Sequence, residues 1–171
     1  MKTPATLAAT IAAVFFVGCD GGIEPRPEPG ETGFSGEIVF QGEWDTTIVR
    51  THLVVFEDPI LTSDDFFPPN LVYVSEEIPR GTTRFEFRSN ENALQETMRL
   101  DAGTYAYVAV AQSAAEILSL QREDWFVVGL YSESDGSAKP LVIGEGETLE
   151  GVDVFCDFDN PPPQPPGGEA R

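Results

Sequence analysis

The sequence predicts an all-β fold, a single antiparallel Greek-key β-sandwich of about 7–8 strands with one short helical crossover. The composition is that of a globular chain, because 41% of the residues are hydrophobic and 11% are aromatic. Short runs rich in β-branched and aromatic residues recur along the chain, as is typical of strands. Turn signals such as Ala102-Gly103 and Asp135-Gly136 separate these runs, at a spacing typical of sandwiches and barrels.

Alternation within the runs indicates how the strands are oriented. In the run 83–88, Phe85 and Phe87 alternate with charged residues, so the two rings are predicted to point inward. The runs 105–111 and 125–131 are apolar on both faces, which predicts central strands. The predicted strands are 34–40, 48–56, 71–74, 83–88, 105–111, 125–131, 139–143 and 151–158.

One segment, 113–124, has a helical pattern. Ile117, Leu118 and Leu120 form an apolar side, and no Gly or Pro interrupts the segment. We expect a short helix here that crosses between the two sheets.

The N-terminus predicts export from the cytoplasm. Residues 1–18 resemble a secretory signal peptide, with the basic Lys2 and an apolar run over 7–17. That run of about 11 residues is too short to span a bilayer, which needs roughly 20. The motif Phe-Val-Gly-Cys that ends at Cys19 resembles the lipobox of bacterial lipoproteins, although Leu is usual at its first position. The resemblance implies cleavage before Cys19 and a thioether-linked diacylglycerol on that residue.

A lipidated Cys19 implies that the lipid bilayer is a partner and that the chain belongs to the cell envelope. The alternative is an ordinary signal peptide whose cleavage releases a soluble protein. Asp20 resembles an inner-membrane retention signal of enteric bacteria. Because that rule does not transfer to all lineages, the sequence does not distinguish the inner from the outer membrane.

The composition divides the rest of the chain into a tether, a folded domain and a tail. Residues 19–33 comprise the lipidated Cys and a Pro-rich tether, whose extended reach is roughly 40 Å. Residues 34–159 form the predicted β-sandwich domain. Residues 160–171 are rich in Pro and Gly and are predicted to be a disordered tail.

One motif resembles transthyretin-like, carboxypeptidase-regulatory-like and Cna-B-like sandwiches. In the segment 98–105, an apolar residue and a Gly turn lead into Thr104-Tyr105 and a following apolar strand. The resemblance implies that the Tyr105 ring packs at a sandwich corner while its hydroxyl reaches the backbone. Cna-B-like domains form a Lys isopeptide crosslink, which is not expected here because Lys139 lies late in the chain. The resemblance implies a fold and little about function.

Charge excludes one class of partner. The net charge is −19, from 29 acidic and 10 basic residues. Such a surface repels nucleic acid, so none is expected as a partner. The acid excess is consistent with solubility, with life at high salt, or with binding of divalent cations.

Few side chains suggest a catalytic or metal-binding site. His52 is the only histidine, so a His-based zinc site or a Ser-His-acid triad is not expected. Cys156 alternates with Val152 and Val154, which predicts a buried and inert thiol. The acids around Asp153 could offer oxygens to calcium, but their spacing matches no EF-hand loop. No catalytic residue, metal or cofactor is therefore predicted.

Aromatic residues in loops are the remaining candidates for ligand contact. Trp44, Phe66 and Phe67 lie in or near predicted loops, where exposed rings bind sugars or proteins. The alternative is that Phe66 and Phe67 fold back to close one end of the domain. The sequence thus predicts a non-catalytic envelope module that binds a protein or glycan or has a structural role. The alternative function is a carbohydrate- or calcium-binding accessory module.

Overall fold

The computed structural model describes residues 30–168, so the predicted signal peptide, Cys19 and most of the tether lie outside the described residues. Ten strands and two short 3₁₀ helices follow one another along this part of the chain. The strands are β1 (Gly33–Gln41), β2 (Arg50–Phe56), β3 (Leu71–Val74), β4 (Arg84–Arg88), β5 (Gly103–Tyr105), β6 (Tyr107–Ser113), β7 (Trp125–Leu130), β8 (Leu141–Ile143), β9 (Thr148–Leu149) and β10 (Val154–Asp157). The 3₁₀ helices are Ser63–Phe66 and Arg122–Asp124.

The all-β prediction is confirmed. A curled sheet has the strand order β3-β2-β6-β7-β10-β1-β4, with β9 paired to β1 at one end. A separate two-stranded ribbon, β5-β8, accompanies it. The sheet is mixed rather than purely antiparallel, because β1 runs parallel to β10 and to β9. One sheet therefore curls around the core, where the sequence predicted two facing antiparallel sheets.

The parallel pairing depends on a close approach between β1 and the segment before β10. A Cβ atom at Gly36 would lie 2.3 Å from the carbonyl oxygen of Val152, so only glycine fits here. The Val152 amide donates to the carbonyl of Ser35 over 3.0 Å. The chain then continues as β10, with Ile38 opposite Val154.

The predicted helix over 113–124 is wrong. β6 extends to Ser113, which pairs with Arg50 of β2 and Trp125 of β7. An extended loop, defined here as the 114–121 loop, follows and ends in the 3₁₀ helix Arg122–Asp124. Long-range strand pairing at Ser113 outweighs the weak helical preference of the segment that follows.

Both faces of the central strands are buried. The inner cluster contains Leu53 and Val55 of β2 together with Phe34 and Ile38 of β1. The ribbon covers this face through its own buried side chains, Tyr105, Leu141 and Ile143. The Tyr105 hydroxyl donates to the carbonyl of Asp101 over 2.8 Å, as the motif predicted.

The outer cluster lies on the opposite face of the same strands. Alternation places His52, Val54 and Phe56 on this side of β2, while Leu53 and Val55 face inward. Loops, rather than strands, cover the outer cluster. Its buried hydrophobic members are Val54, Phe56, Phe66, Val74, Ala109, Ala111, Trp125 and Val127.

Part of the predicted disordered tail packs against the outer face. The Gln164 side chain accepts a hydrogen bond from the Val127 amide over 2.9 Å and donates to the Val127 carbonyl over 2.8 Å. Pro165 is buried, and its carbonyl accepts from Arg122 over 3.1 Å. Residues 161–168, called the strap here, therefore pack against β7 and Arg122, in contrast to the prediction of a disordered tail for 160–171.

No helix between residues 30 and 168 has the length and apolarity to cross a membrane.

Candidate functional site

Trp44 is a structural residue at one end of the inner cluster. Its ring packs against Phe40 and Phe158, with centroid distances of 4.8 and 5.1 Å. Its indole N–H donates to the carbonyl of Thr82 over 3.1 Å. The apolar ring of Trp44 is therefore packed against other rings, and its indole N–H is hydrogen-bonded within the domain.

Phe66 and Phe67 lie on the outer face of the sheet, whereas Trp44 packs against the inner cluster. The three aromatic residues therefore do not form one site. Phe66 is buried and packs 5.2 Å from Phe56 and 5.7 Å from Phe67, measured between ring centroids. They fold back onto the sheet, which is the alternative that the sequence left open. Both rings also line an apolar cavity of about 120 Å³.

The cavity lies between the outer face of the sheet and the loops that cover it. Its floor comes from the strands and its rim from the 114–121 loop and the segment around Met98. Its lining consists of His52, Val54, Phe56, Phe66, Phe67, Pro68, Leu71, Val74, Leu94, Gln95, Met98, Ala111, Leu118, Ser119, Leu120 and Trp125. This lining contains no carboxylate, lysine or arginine. The cavity is therefore an apolar site with few polar groups, the general form of a small-molecule pocket.

His52 is the most unusual side chain in this lining. It is only 1% exposed, and its Nδ1 lies 2.9 Å from the carbonyl oxygen of Ser75. Because a carbonyl can only accept, Nδ1 carries the hydrogen, and Nε2 of the neutral ring is an acceptor. Nε2 is buried and has no hydrogen-bond partner among the described residues. An unpaired buried acceptor costs about 1–3 kcal/mol.

Burial also controls the charge of His52. Removal from water lowers the pKa of the imidazole from its ordinary value of 6.5, while the hydrogen bond to Ser75 opposes this shift. Glu77 also raises the pKa, and the nearby Arg50 lowers it. The net direction is downward, which favours the neutral ring that the geometry requires.

The 114–121 loop is fixed by hydrogen bonds on either side of its apolar residues. The Arg50 guanidinium donates to the carbonyl of Glu116 over 2.7 Å. The Trp125 indole N–H donates to the carbonyl of Ser119 over 2.9 Å. Ile117 and Leu118 lie between these two hydrogen-bonded residues and are 77% and 52% exposed. The loop therefore holds large apolar side chains in water at the cavity rim.

Ser119 does not form a nucleophile–base pair with His52. Its hydroxyl donates to a carboxylate oxygen of Asp124 and accepts from the Gln121 amide over 3.1 Å. These bonds shape the turn into the 3₁₀ helix. A Ser-His-acid triad requires the serine hydroxyl to reach the imidazole, whereas the Ser119 hydroxyl bonds to Asp124 and Gln121.

Arg122 is a second polar residue that the sequence did not single out. It is 3% exposed, and its guanidinium carbon lies 4.2 Å from the centroid of the Phe66 ring. It donates to the carbonyls of Trp125 and Pro165. Burial lowers the pKa of its guanidinium. Arg122 therefore joins Phe66, β7 and the strap, and no carboxylate between residues 30 and 168 forms an ion pair with it.

The acidic residues Asp65 and Asp153 stabilise local structure through hydrogen bonds to the backbone. One carboxylate oxygen of Asp65 accepts from the amides of Leu61 and Thr62 over 3.0 and 2.7 Å, which lowers the pKa of the carboxyl. Asp153 accepts from the amide of Glu37 over 2.9 Å. Within residues 30–168, no group of three or more His, Cys, Asp or Glu side chains is arranged to hold a metal ion.

Cys156 is a buried free thiol, as its alternation with Val154 predicted. Burial raises its pKa well above the ordinary value of 9.0. The sulfur therefore stays protonated and acts as a small apolar side chain in the inner cluster.

The cavity was not predicted from the sequence, because His52 was considered only as a metal ligand or a member of a catalytic triad. The available signal was its alternation with Val54 and Phe56 on one face of β2, which places the imidazole on an apolar surface. The contribution of the 114–121 loop was hidden because the same leucines fit a helical pattern.

Comparison of the chain with protein-family models, curated proteins and solved structures gives no match.

Proposed function

We propose that this chain is a membrane-anchored, non-catalytic binding module of the cell envelope, and that it binds apolar ligands at the cavity on the outer face. The observation that carries the proposal is an apolar cavity of about 120 Å³ with exposed leucines at its rim. Leu118 and Leu120 are 52% and 73% exposed. Apolar side chains held in water beside a cavity favour contact with an apolar ligand, because the contact removes both from water.

The composition of the cavity supports an apolar ligand over a glycan. A sugar requires several polar partners for its hydroxyl groups, since buried hydroxyls without partners are unfavourable. Apart from His52, the side chains of the lining offer polar groups through Gln95, Ser119 and Trp125. The Ser119 hydroxyl is already bonded to Asp124, and the Trp125 indole N–H is bonded to the Ser119 carbonyl.

The cavity chemistry also favours binding over catalysis. General acid–base or nucleophilic catalysis needs groups that exchange protons within hydrogen-bond reach. His52 has its Nδ1 committed to the Ser75 carbonyl, and the lining supplies no carboxylate to pair with the ring.

The anchor rests on the sequence. Lipidation at Cys19 would hold the domain outside the cytoplasm on a Pro-rich tether with a reach of roughly 40 Å. A domain on such a tether can meet ligands in the envelope while it stays attached to the membrane.

Fluorescence of the neutral dye Nile red tests the exposed apolar rim of the site, because the dye is larger than the cavity and would contact the leucines at its rim. We expect saturable binding by the wild-type chain and a several-fold loss of affinity in the double variant Leu118→Ser/Leu120→Ser. Val142→Ser is the matched control, because Val142 is 59% exposed on the β8 ribbon. Equal binding by all three proteins, or no saturable binding of either Nile red or the smaller toluene, would contradict the proposal.

Mass spectrometry of the mature N-terminus in the producing organism tests the anchor. We expect a diacylglycerol-modified Cys19 and its loss, with release from the membrane fraction, in Cys19→Ser. An unmodified N-terminus on a soluble protein would rule the anchor out and leave the cavity proposal standing.

A further inference from the structure

We infer that the outer-face cavity takes a neutral, ring-sized molecule with one hydroxyl or N–H donor, and that this donor bonds to Nε2 of His52. This inference rests on the proposed binding function and specifies its ligand class. Phenol is the simplest molecule of that class.

The hydrogen-bond requirement comes from the fixed tautomer of His52. Nδ1 is committed to the Ser75 carbonyl at 2.9 Å, so Nε2 has a lone pair and no hydrogen to donate. Nε2 has no partner among the described residues, and its side chain lines the cavity although it is only 1% exposed. The accessible area of Nε2 itself is below 1 Å², so a ligand bonds to it only when the side chains that cover it move aside. A ligand that brings a donor satisfies this acceptor, whereas a ligand with only acceptors does not.

The size of the cavity selects a single ring. An apolar protein cavity of about 150 Å³ holds benzene, and the volume here is about 120 Å³ with an open rim. The walls contain Phe56, Phe66 and Trp125. Aromatic walls favour an aromatic guest, because edge-to-face and offset contacts add to the burial of apolar area.

Electrostatics selects against charge on the ligand. The lining has no charged side chain that could pair with a buried ion, and burying an unpaired charge is strongly unfavourable. The chain carries a net charge of −19, which additionally repels anions. Carboxylates and phosphates are therefore excluded, and neutral phenol-like molecules fit.

Calorimetric titration with phenol, anisole and toluene tests the inference on the full mature chain. Anisole keeps the oxygen of phenol but has no hydrogen to donate, and toluene has neither. One net hydrogen bond corresponds to about a 3- to 10-fold change in affinity. We expect His52→Leu to lower the phenol-to-toluene affinity ratio by about that factor while toluene still binds.

A second variant and the wild-type chain keep the test decisive if His52→Leu does not fold. Ala111→Val adds bulk to the cavity wall and is expected to weaken phenol and toluene together, whereas Val142→Ala on the ribbon is expected to weaken neither. In the wild-type chain, phenol is expected to bind about 3- to 10-fold more tightly than anisole.

Two results would overturn the inference: anisole that binds as tightly as phenol, or a phenol-to-toluene ratio unchanged by His52→Leu. Toluene binding that survives in either case would leave the proposed apolar site intact. Absence of binding by toluene, phenol and Nile red alike would overturn the proposed function itself.

Discussion

The two faces of the curled sheet are covered in different ways. The inner face is closed by the ribbon and by β4, which bring side chains such as Leu141 and Phe87 into the inner cluster. The outer face is covered by loops and the strap, and it keeps a cavity beside His52. The space beside the ribbon is lined in part by the charged Glu57, Arg99 and Asp101, whereas the cavity under the loops of the outer face is lined mainly by apolar side chains that an apolar ligand can contact. We therefore assign stability to the inner face and binding to the outer face.

Truncation of the inner face should give the largest effect. Leu53 is fully buried in the inner cluster, so Leu53→Ala removes buried methyl groups and leaves a cavity. We expect a loss of about 2–5 kcal/mol in the free energy of unfolding, measured by urea denaturation. A loss below 1 kcal/mol would contradict the assignment of stability to this face.

Removal of the buried guanidinium of Arg122 should have an intermediate effect. Arg122→Met leaves the Trp125 and Pro165 carbonyls without a donor, at a cost of about 1–3 kcal/mol. We also expect faster proteolysis of the strap. The matched control is Arg84→Met, because Arg84 is an exposed partner of Glu37 and such pairs contribute about 0–1 kcal/mol. Equal losses in the two variants would argue against a special role for Arg122.

The pH dependence of stability tests the outer face directly. The pKa of His52 is lower in the folded chain than its ordinary value of 6.5. Below that pH the unfolded chain binds more protons than the folded chain, so the contribution of His52 to stability falls as the solution is acidified. This contribution is complete above pH 6.5.

The variant His52→Gln isolates this contribution, because the chain has one histidine. We expect the stability of the wild type relative to the variant to decrease as the pH falls below 6.5, in urea titrations at matched pH. A difference that is constant with pH, or that increases on acidification, would show that the ring is not buried in its neutral form.

The rim should give the smallest effect on stability. Leu118 is 52% exposed, so Leu118→Ala should change the free energy of unfolding by no more than about 0.5 kcal/mol. The same substitution should weaken Nile red binding. A stability loss similar to that of Leu53→Ala would mean that the rim belongs to the folded core and is not a binding surface.

The inner face was largely predictable from sequence. Alternation in the run 83–88 indicated that Phe87 is buried, and the apolar runs became the central strands β6 and β7. These features depend on local side-chain periodicity, which the sequence contains. The hydrogen bond from the Tyr105 hydroxyl to the backbone was expected from the resemblance of the segment 98–105 to a sandwich corner motif, which is also local in sequence.

The site and the topology were not predictable in the same way. The parallel pairing of β1 with β10 joins segments more than a hundred residues apart, and no local pattern specifies it. The helical pattern of 113–124 was overridden when Ser113 paired with Arg50 and Trp125. The burial of Arg122 depends on the strap, whose composition alone favoured disorder.

The nitrogen resonances of the His52 ring provide the most direct test of the outer-face site. In the free protein at pH 7, we expect a protonated Nδ1 and an unprotonated Nε2, in a ring that water reaches poorly. Titration with phenol should shift Nε2 while Nδ1 stays nearly constant, and backbone shifts should concentrate on Val54, Ala111 and Trp125. A protonated Nε2 in the free protein, or phenol shifts confined to the inner face, would contradict the account.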